Sequence, residues 1–300
     1  LFFKVIKNKI KSPIILIASK KLIMKQAKIL KKKLNFNITN EFEIIKKKGN
    51  LKKINLIDVE FKQSSGFSKI SSKSNKYITS CFDIAIRLLK NNVSNKFING
   101  PISKKTFLKS KHNGITEYLA DKTNTKQFAM IIYNKYLSVC PLTTHIPIKY
   151  VSKKINKIEI INKVKLINKF WKDKFNKEVK IGVTGLNPHC ESIDSFNEDK
   201  NILFPVIKKL RKLKYNINGP LAADTIFLKK NRLKFDLIIG MYHDQVLIPI
   251  KTLFEYDAIN ITIGLPFIRV SPDHGPNESM IGKNKSNPLS LLNSIKFLDF

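Results

Sequence analysis

The 300-residue chain is 43% hydrophobic and carries a formal net charge of +34. Chains of this length form one large or two ordinary domains of ~100–200 residues each, no apolar run reaches the ~18 residues of a membrane span, and no secretory signal pattern is present. Only Arg87, Arg211, Arg232 and Arg269 of the 56 basic residues are arginine; the lysines are scattered among Ile and Asn, as an AT-rich genome would encode them, which argues against a concentrated nucleic-acid-binding face.

Residues 13–19 (PIILIAS) form a short apolar run that reads as a buried strand. Residues 20–33 space Leu22, Ile23, Ala27, Ile29 and Leu30 along one helical face. Residues 41–45 and 51–59 read as further strands, and 63–76 (QSSGFSKISSKSNK) as loop. A helix over 77–90 buries Ile78, Phe82, Ile86 and Leu89. A strand over 96–99 ends at the turn Gly100-Pro101. Residues 128–133 and 136–140 read as a hairpin across Asn134-Lys135. The longest helix is expected over 152–175, with Trp171 on its buried side. Strands follow at 179–184, 236–241 and 259–263, and helices at 196–213 and 288–298. This alternation predicts an α/β fold with a largely parallel sheet.

Three cysteines, Cys81, Cys140 and Cys190, stand at wide spacings without a CxxC pair. They make no disulfide framework and fit a reducing cytoplasm. The first residue is Leu1 rather than Met, as expected of a fragment or a trimmed product.

There are five histidines, and three share one context. His145 follows LSVCPLTT, His189 follows VKIGVTGLNP and His243 follows DLIIGMY, each just past an apolar strand. In open α/β sheets ligands bind at the carboxyl ends of strands. One such histidine is commonly just a satisfied polar group; three in a histidine-poor chain point to a catalytic metal with three neutral ligands and an open position. Asp244 follows His243 directly, and Asp224 lies in GPLAADT. Lys251, Asn260 and Arg269 fall around the late strands. Arg269 draws interest because this chain uses arginine so sparingly and a planar guanidinium suits phosphate or carboxylate. The SPDHG run (271–275) reads as a polar turn that could face a ligand, with His274 either structural or functional. No GxGxxG follows a strand, and no P-loop, GxSxG or HExxH occurs.

In order along the chain stand NGPISKK (99–105), GITEYLAD (114–121), TTHIP (143–147), GLNPH (185–189), NGPLAADTIF (218–227), MYHDQ (241–245), NITIGLPFIRVSPDHG (260–275) and a terminal GKNKSNPLSLLNSIKF. Together they resemble the PdxA family, the 4-hydroxythreonine-4-phosphate dehydrogenases of pyridoxal phosphate biosynthesis, from the first strand to the C-terminus. The resemblance implies two α/β/α domains with an active-site cleft, like isocitrate and isopropylmalate dehydrogenases. These are expected at 1–105 with 275–300, and at 106–274. It also implies a cytoplasmic homodimer with active sites at the subunit interface. His145, His189 and His243 would hold a divalent metal shared between subunits, zinc by the softness of its ligands, with cobalt, manganese or magnesium as alternatives. Thr116, Lys251, Asn260 and Arg269 match substrate-binding positions, and Asp224, Asp244 and Lys251 are the candidate proton acceptors. The implied cofactor is NAD, or NADP in its place, bound without a Rossmann unit and with no cofactor-binding residue assigned.

The chain departs from the family pattern in three places. Ile115 stands where the family has the histidine of GHTE, and His112 lies three residues earlier. The family's opening strand and GxPxGIGPE-like loop would lie just before Leu1. CESIDSFNED follows GLNPH where the family is richer in glycine. The expected reaction is oxidation and decarboxylation of a phosphorylated threonine to 3-amino-2-oxopropyl phosphate; a basic surface would help capture such an anion. Three alternatives are a sister enzyme of 4-phospho-erythronate or 4-phospho-threonate, a weakened paralogue kept for binding, and a nucleic-acid-binding protein. The last predicts steeply salt-dependent binding.

Overall fold

The computed structural model describes residues 1–8, 10–46, 51, 53–109, 111–193 and 195–299. In chain order the elements begin with α1 (Phe2–Val5), β1 (Ile14–Ala18), α2 (Lys20–Ile29), β2 (Asn37–Thr39), α3 (Glu41–Lys46), β3 (Ile54–Asp58), α4 (Asn75–Lys90), β4 (Lys96–Ile98) and α5 (Lys104–Leu108). There follow α6 (Ile115–Lys122), β5 (Ala129–Asn134), β6 (Leu137–Thr143), α7 (Val151–Lys154), α8 (Lys157–Phe175), β7 (Ile181–Thr184) and α9 (Phe204–Lys212). The chain closes with β8 (Ile217–Leu221), α10 (Lys229–Arg232), β9 (Leu237–Tyr242), α11 (His243–Phe254), β10 (Ile259–Ile263), β11 (Ile268–Pro272) and α12 (Leu289–Leu298). The α/β class follows directly from this alternation. Two compact units emerge, Leu1–Lys111 with Phe267–Phe300, and His112–Pro266.

In the first unit β1, β3 and β2 form a parallel sheet with β3 in the middle, and β4 pairs with β11 in parallel. Successive side chains of a strand face opposite ways, and β3 uses both faces. Leu56 packs with Phe3 of α1 and Ile23 and Ala27 of α2. Its neighbour Ile57 packs with Ile44 of α3 and Leu88 of α4. Helices therefore cover the sheet on both sides, as a central parallel strand requires.

In the second unit the strands run in the order β10-β5-β6-β9-β7-β8. β5 is antiparallel to both its neighbours, β10 and β6; β6, β9, β7 and β8 are parallel. One face carries α11, whose Val246, Leu247 and Ile250 pack on Met130, Ile132, Val139 and Ile238. Cys140 points the opposite way from Val139, toward Lys163 of α8, and its burial raises the thiol to about 11. Trp171 is buried on α8, as its spacing predicts.

Several elements differ from the sequence expectation. Residues 41–46 are helix, not strand, because Asn40 and Glu43 form a reciprocal cap. Asn40 Oδ1 accepts from Glu43 N at 2.9 Å, an N-cap bond, and Asn40 Nδ2 donates to Glu43 Oε1 at 3.1 Å, which closes the cap side chain to side chain. The helix expected over 152–175 is two helices, since Asn156 is extended (φ −146) and its side chain caps α8 through Glu159 N. The helix expected from residue 196 begins with a π-type turn at Asp199–Leu203. Arg269 and Ser271 lie within β11 rather than beyond a strand, and Lys251 lies on α11. Of the strand read over 51–59, Lys52 lies outside the described residues, and the paired portion is Ile54–Asp58.

Candidate active site

β9 lies between β6 and β7 in the sheet, and all three run parallel. Their carboxyl ends therefore share one edge of the second unit. His145 follows β6, His243 follows β9 and His189 follows β7, so the topology sends all three histidine-bearing loops off that edge. The rings of His145 and His243 face one another with centroids 5.6 Å apart. Both His145 (φ 48) and His189 (φ 55) adopt the left-handed conformation, which costs a non-glycine residue roughly 1–2 kcal/mol and persists where surrounding structure imposes it. Among the described residues of this one chain, no group of three His, Cys, Asp or Glu is placed to hold a metal ion.

His145 is set by α6. Nδ1 lies 3.7 Å from Glu117 Oε1, which also accepts from Thr144 Oγ1 at 3.3 Å. Burial alone would push the Glu117 carboxyl up. The His145 imidazole, its own backbone N–H and the Thr144 hydroxyl outweigh that and hold it below its ordinary value. Gly114, just before α6, lets Glu117 and His145 approach the backbone closely. A Cβ there would lie 2.6 Å from Glu117 Oε2 and 3.1 Å from His145 Cε1.

The same helix carries Thr116, whose Oγ1 meets Thr262 Oγ1 of β10 at 3.2 Å in a buried contact. Asn260 lies two residues before Thr262, hence on the same side of the strand. Its Oδ1 is buried with no hydrogen-bond partner among the described residues. A buried orphan of this kind is costly, and a ligand donor would satisfy it. Ile115 is buried at the start of α6. His112 turns instead to Asp121, Nε2 to Oδ2 3.3 Å, with its ring edge-on to Tyr118.

His243 opens α11, and its Nδ1 lies 2.6 Å from Asp244 Oδ1. A carboxylate on one ring nitrogen selects the tautomer that leaves the other free as a ligand. Lys251 is exposed on α11, eight residues on and so about 12 Å along the axis. The loop to His189 is held by Asp199, a fully buried carboxylate that accepts from Leu186 N at 2.8 Å and from Asn187 N at 3.0 Å. Cys190 lies against Gly185; burial, then the charge of Asp199, raises its thiol. Asp224 is exposed in the turn after β8, close enough to act on Cys190 through its charge.

In the first unit Arg269 is 3% exposed, and its Nε donates to Asn99 Oδ1 at 2.7 Å. Asn99 belongs to the NGPISKK run, so two of the sequence motifs meet here. His274 contacts the Gly275 carbonyl through Nδ1 at 3.0 Å.

A family model described as the pyridoxal phosphate biosynthetic protein PdxA matches residues 9–298. The chain belongs to the PdxA family. It is 38% identical over 287 residues to a 4-hydroxythreonine-4-phosphate dehydrogenase of Sulfurihydrogenibium sp. (strain YO3AOP1), covering 94% of this chain and 87% of that one. The solved 4-hydroxythreonine-4-phosphate dehydrogenase of Klebsiella pneumoniae superposes with a TM-score of 0.79 at 26% identity, covering 95% and 89%. An Oceanobacillus iheyensis protein provisionally named as a D-threonate 4-phosphate dehydrogenase is 31% identical over 287 residues, covering 94% and 86%. Family membership makes the chain an oxidoreductase of the dehydrogenase class.

The donor chemistry suits the divalent metal that the PdxA resemblance implies. Two facing imidazoles, each with a carboxylate beside Nδ1, are the arrangement in which Nε2 ligates a borderline cation such as zinc. Glu117, Thr262, Gln245 and Asp199 are the residues that motif reading passed over. Glu117, Gln245 and Thr262 stood inside quoted motifs, next to Thr116, two residues after His243 and two after Asn260, but their partners are visible only in three dimensions.

Proposed function

We propose that the protein oxidises and decarboxylates 4-phosphooxy-L-threonine to 3-amino-2-oxopropyl phosphate, using NAD and a divalent metal, as a homodimer in the cytoplasm. The observation that carries this reading is the facing pair His145 and His243 at the ends of β6 and β9 in a chain of the PdxA family. The third ligand is His189, contributed across the dimer. Exposed Ile148, Tyr150, Ile193 and Phe196 follow the ends of β6 and β7, an apolar surrounding that favours burial against a second copy. The three free thiols fit a reducing compartment, and among the described residues no helix is long and apolar enough to cross a membrane.

When bound, the metal polarises the substrate alcohol and steadies the negative charge that develops on decarboxylation, and NAD accepts the hydride. The chain's own residues do the rest. Thr116, held by Thr262, and Asn260 bind the polar groups beside the reacting carbon. Lys251 and Arg269 bind the phosphate and carboxylate, Arg269 with its guanidinium plane fixed by Asn99. Asp224, Asp244 and Lys251 are the candidates to take the alcohol proton, Asp244 being hydrogen-bonded to His243. Loss of hydride and proton yields a β-keto acid. Cleavage of its carboxyl C–C bond releases CO2 and leaves the electron pair on the α-carbon, which is then protonated.

Ile115 favours a second reading, a substrate with hydroxyl in place of the amine, such as 4-phospho-threonate or 4-phospho-erythronate. An apolar side chain there offers no hydrogen bond to a charged ammonium. NADH formation should be followed with the phosphorylated amino acid and with both sugar-acid phosphates, on the wild type and on Ile115→His. A hydrogen bond to a charged group contributes ~1.5–3 kcal/mol. The variant should therefore raise kcat/KM for 4-phosphooxy-L-threonine about tenfold. Turnover confined to the sugar-acid phosphates, unchanged by the substitution, would establish the second reading instead.

A further inference from the structure

Gln245 sits at the ends of β7 and β9, the paired strands that lead to His189 and His243. Its Oε1 accepts from Met241 N of β9 and from Thr184 Oγ1 of β7, each at 2.7 Å. Its Nε2 donates to Gly185 O at 2.8 Å. One amide thus spans two adjacent strands at the point where both leave the sheet. The next two backbone N–H groups beyond Gly185 are taken by Asp199, and Cys190 N donates to Asn187 O at 3.1 Å. The chain is therefore tied by successive bonds from the strand end up to His189, which is turned into the left-handed region.

We infer that Gln245 is a positioning residue that locks the His189 loop to the start of α11, and so sets His189 and His243 for their metal sites. Its hydrogen bonds go to Met241, Thr184 and Gly185, so it acts on the strand ends that lead to the two histidines. Neither Glu nor Met does the same work. Glu supplies the acceptor without the donor to Gly185, and Met supplies neither at similar volume. The inference rests on the metal reading of the histidines, but the locking itself can be measured without metal.

The test uses the full chain, wild type, Gln245→Met and Gln245→Glu, in hydrogen exchange on the metal-free protein and in Co(II) titration. Exchange at residues 185–190 should accelerate in Gln245→Met while β5 and α8 keep wild-type protection. Co(II) affinity should fall by about 10–100-fold, the usual cost of losing an outer-shell support, with Gln245→Glu between the two. Unchanged exchange in the loop, or acceleration spread evenly over the fold, overturns the inference. If the wild type takes up no Co(II), the metal reading falls separately, and loop exchange still decides whether Gln245 locks the strand ends.

Discussion

Replacing His189 is expected to leave the purified enzyme without its metal and to lower kcat/KM by about a thousandfold or more. The magnitude follows from Lewis-acid stabilisation of several kcal/mol at ~1.4 kcal/mol per factor of ten. The choice of substituent matters, because His189 holds φ 55. Alanine is less suited than histidine to the left-handed region, whereas asparagine tolerates that conformation and is a poor zinc ligand. His189→Asn is thus the cleaner variant and His189→Ala the comparison. The residue is exposed on a loop, so both proteins should fold, with His189→Asn close to wild type in Tm. Metal content by elemental analysis decides the matter: equal metal in wild type and both variants would remove His189 from the site.

Much of this site could be read along the chain because its elements announce themselves locally. Fully buried parallel strands are short apolar runs, and β6, β7 and β9 all read that way. A histidine a few residues past such a run needs no tertiary knowledge to be noticed. What the sequence hid is of two kinds. Some local signals were outweighed by hydrophobic pattern: the EFEII run looks like a strand unless the Asn40–Glu43 cap is weighed first, and Asn156 reads as an ordinary helix residue until it is seen to cap α8. α11 was hidden because Pro249 sits inside it, and proline is normally taken as a helix breaker. The supporting residues form the second kind. Gln245 meets Thr184 across 61 positions of sequence, and Thr116 meets Thr262 across 146. No periodicity encodes such pairs, so the strand-end histidines were legible while the groups packed around them were not.

Arg269 should show the second large effect, with Arg269→Lys raising KM for the phosphorylated substrate by about a hundredfold. The substitution keeps the positive charge, so a purely Coulombic role would lose little. What it removes is the planar fork, and with it the Nε–H that donates to Asn99. Losing a buried, hydrogen-bonded charged contact costs ~2–5 kcal/mol, and the lower end of that range already corresponds to more than a tenfold loss. Because Arg269 is almost wholly buried, the same change also leaves Asn99 Oδ1 without its donor, at ~1–3 kcal/mol of stability. Two effects are therefore superimposed, and Asn99→Ala separates them. It leaves the guanidinium present but unaligned, so Tm should fall by an amount similar to Arg269→Lys while KM rises less. Phosphate affinity of the substrate-free protein gives an independent reading of the anion contact. If Arg269→Lys lowers Tm while KM and phosphate affinity stay at wild-type values, Arg269 holds the first unit together and does not bind substrate.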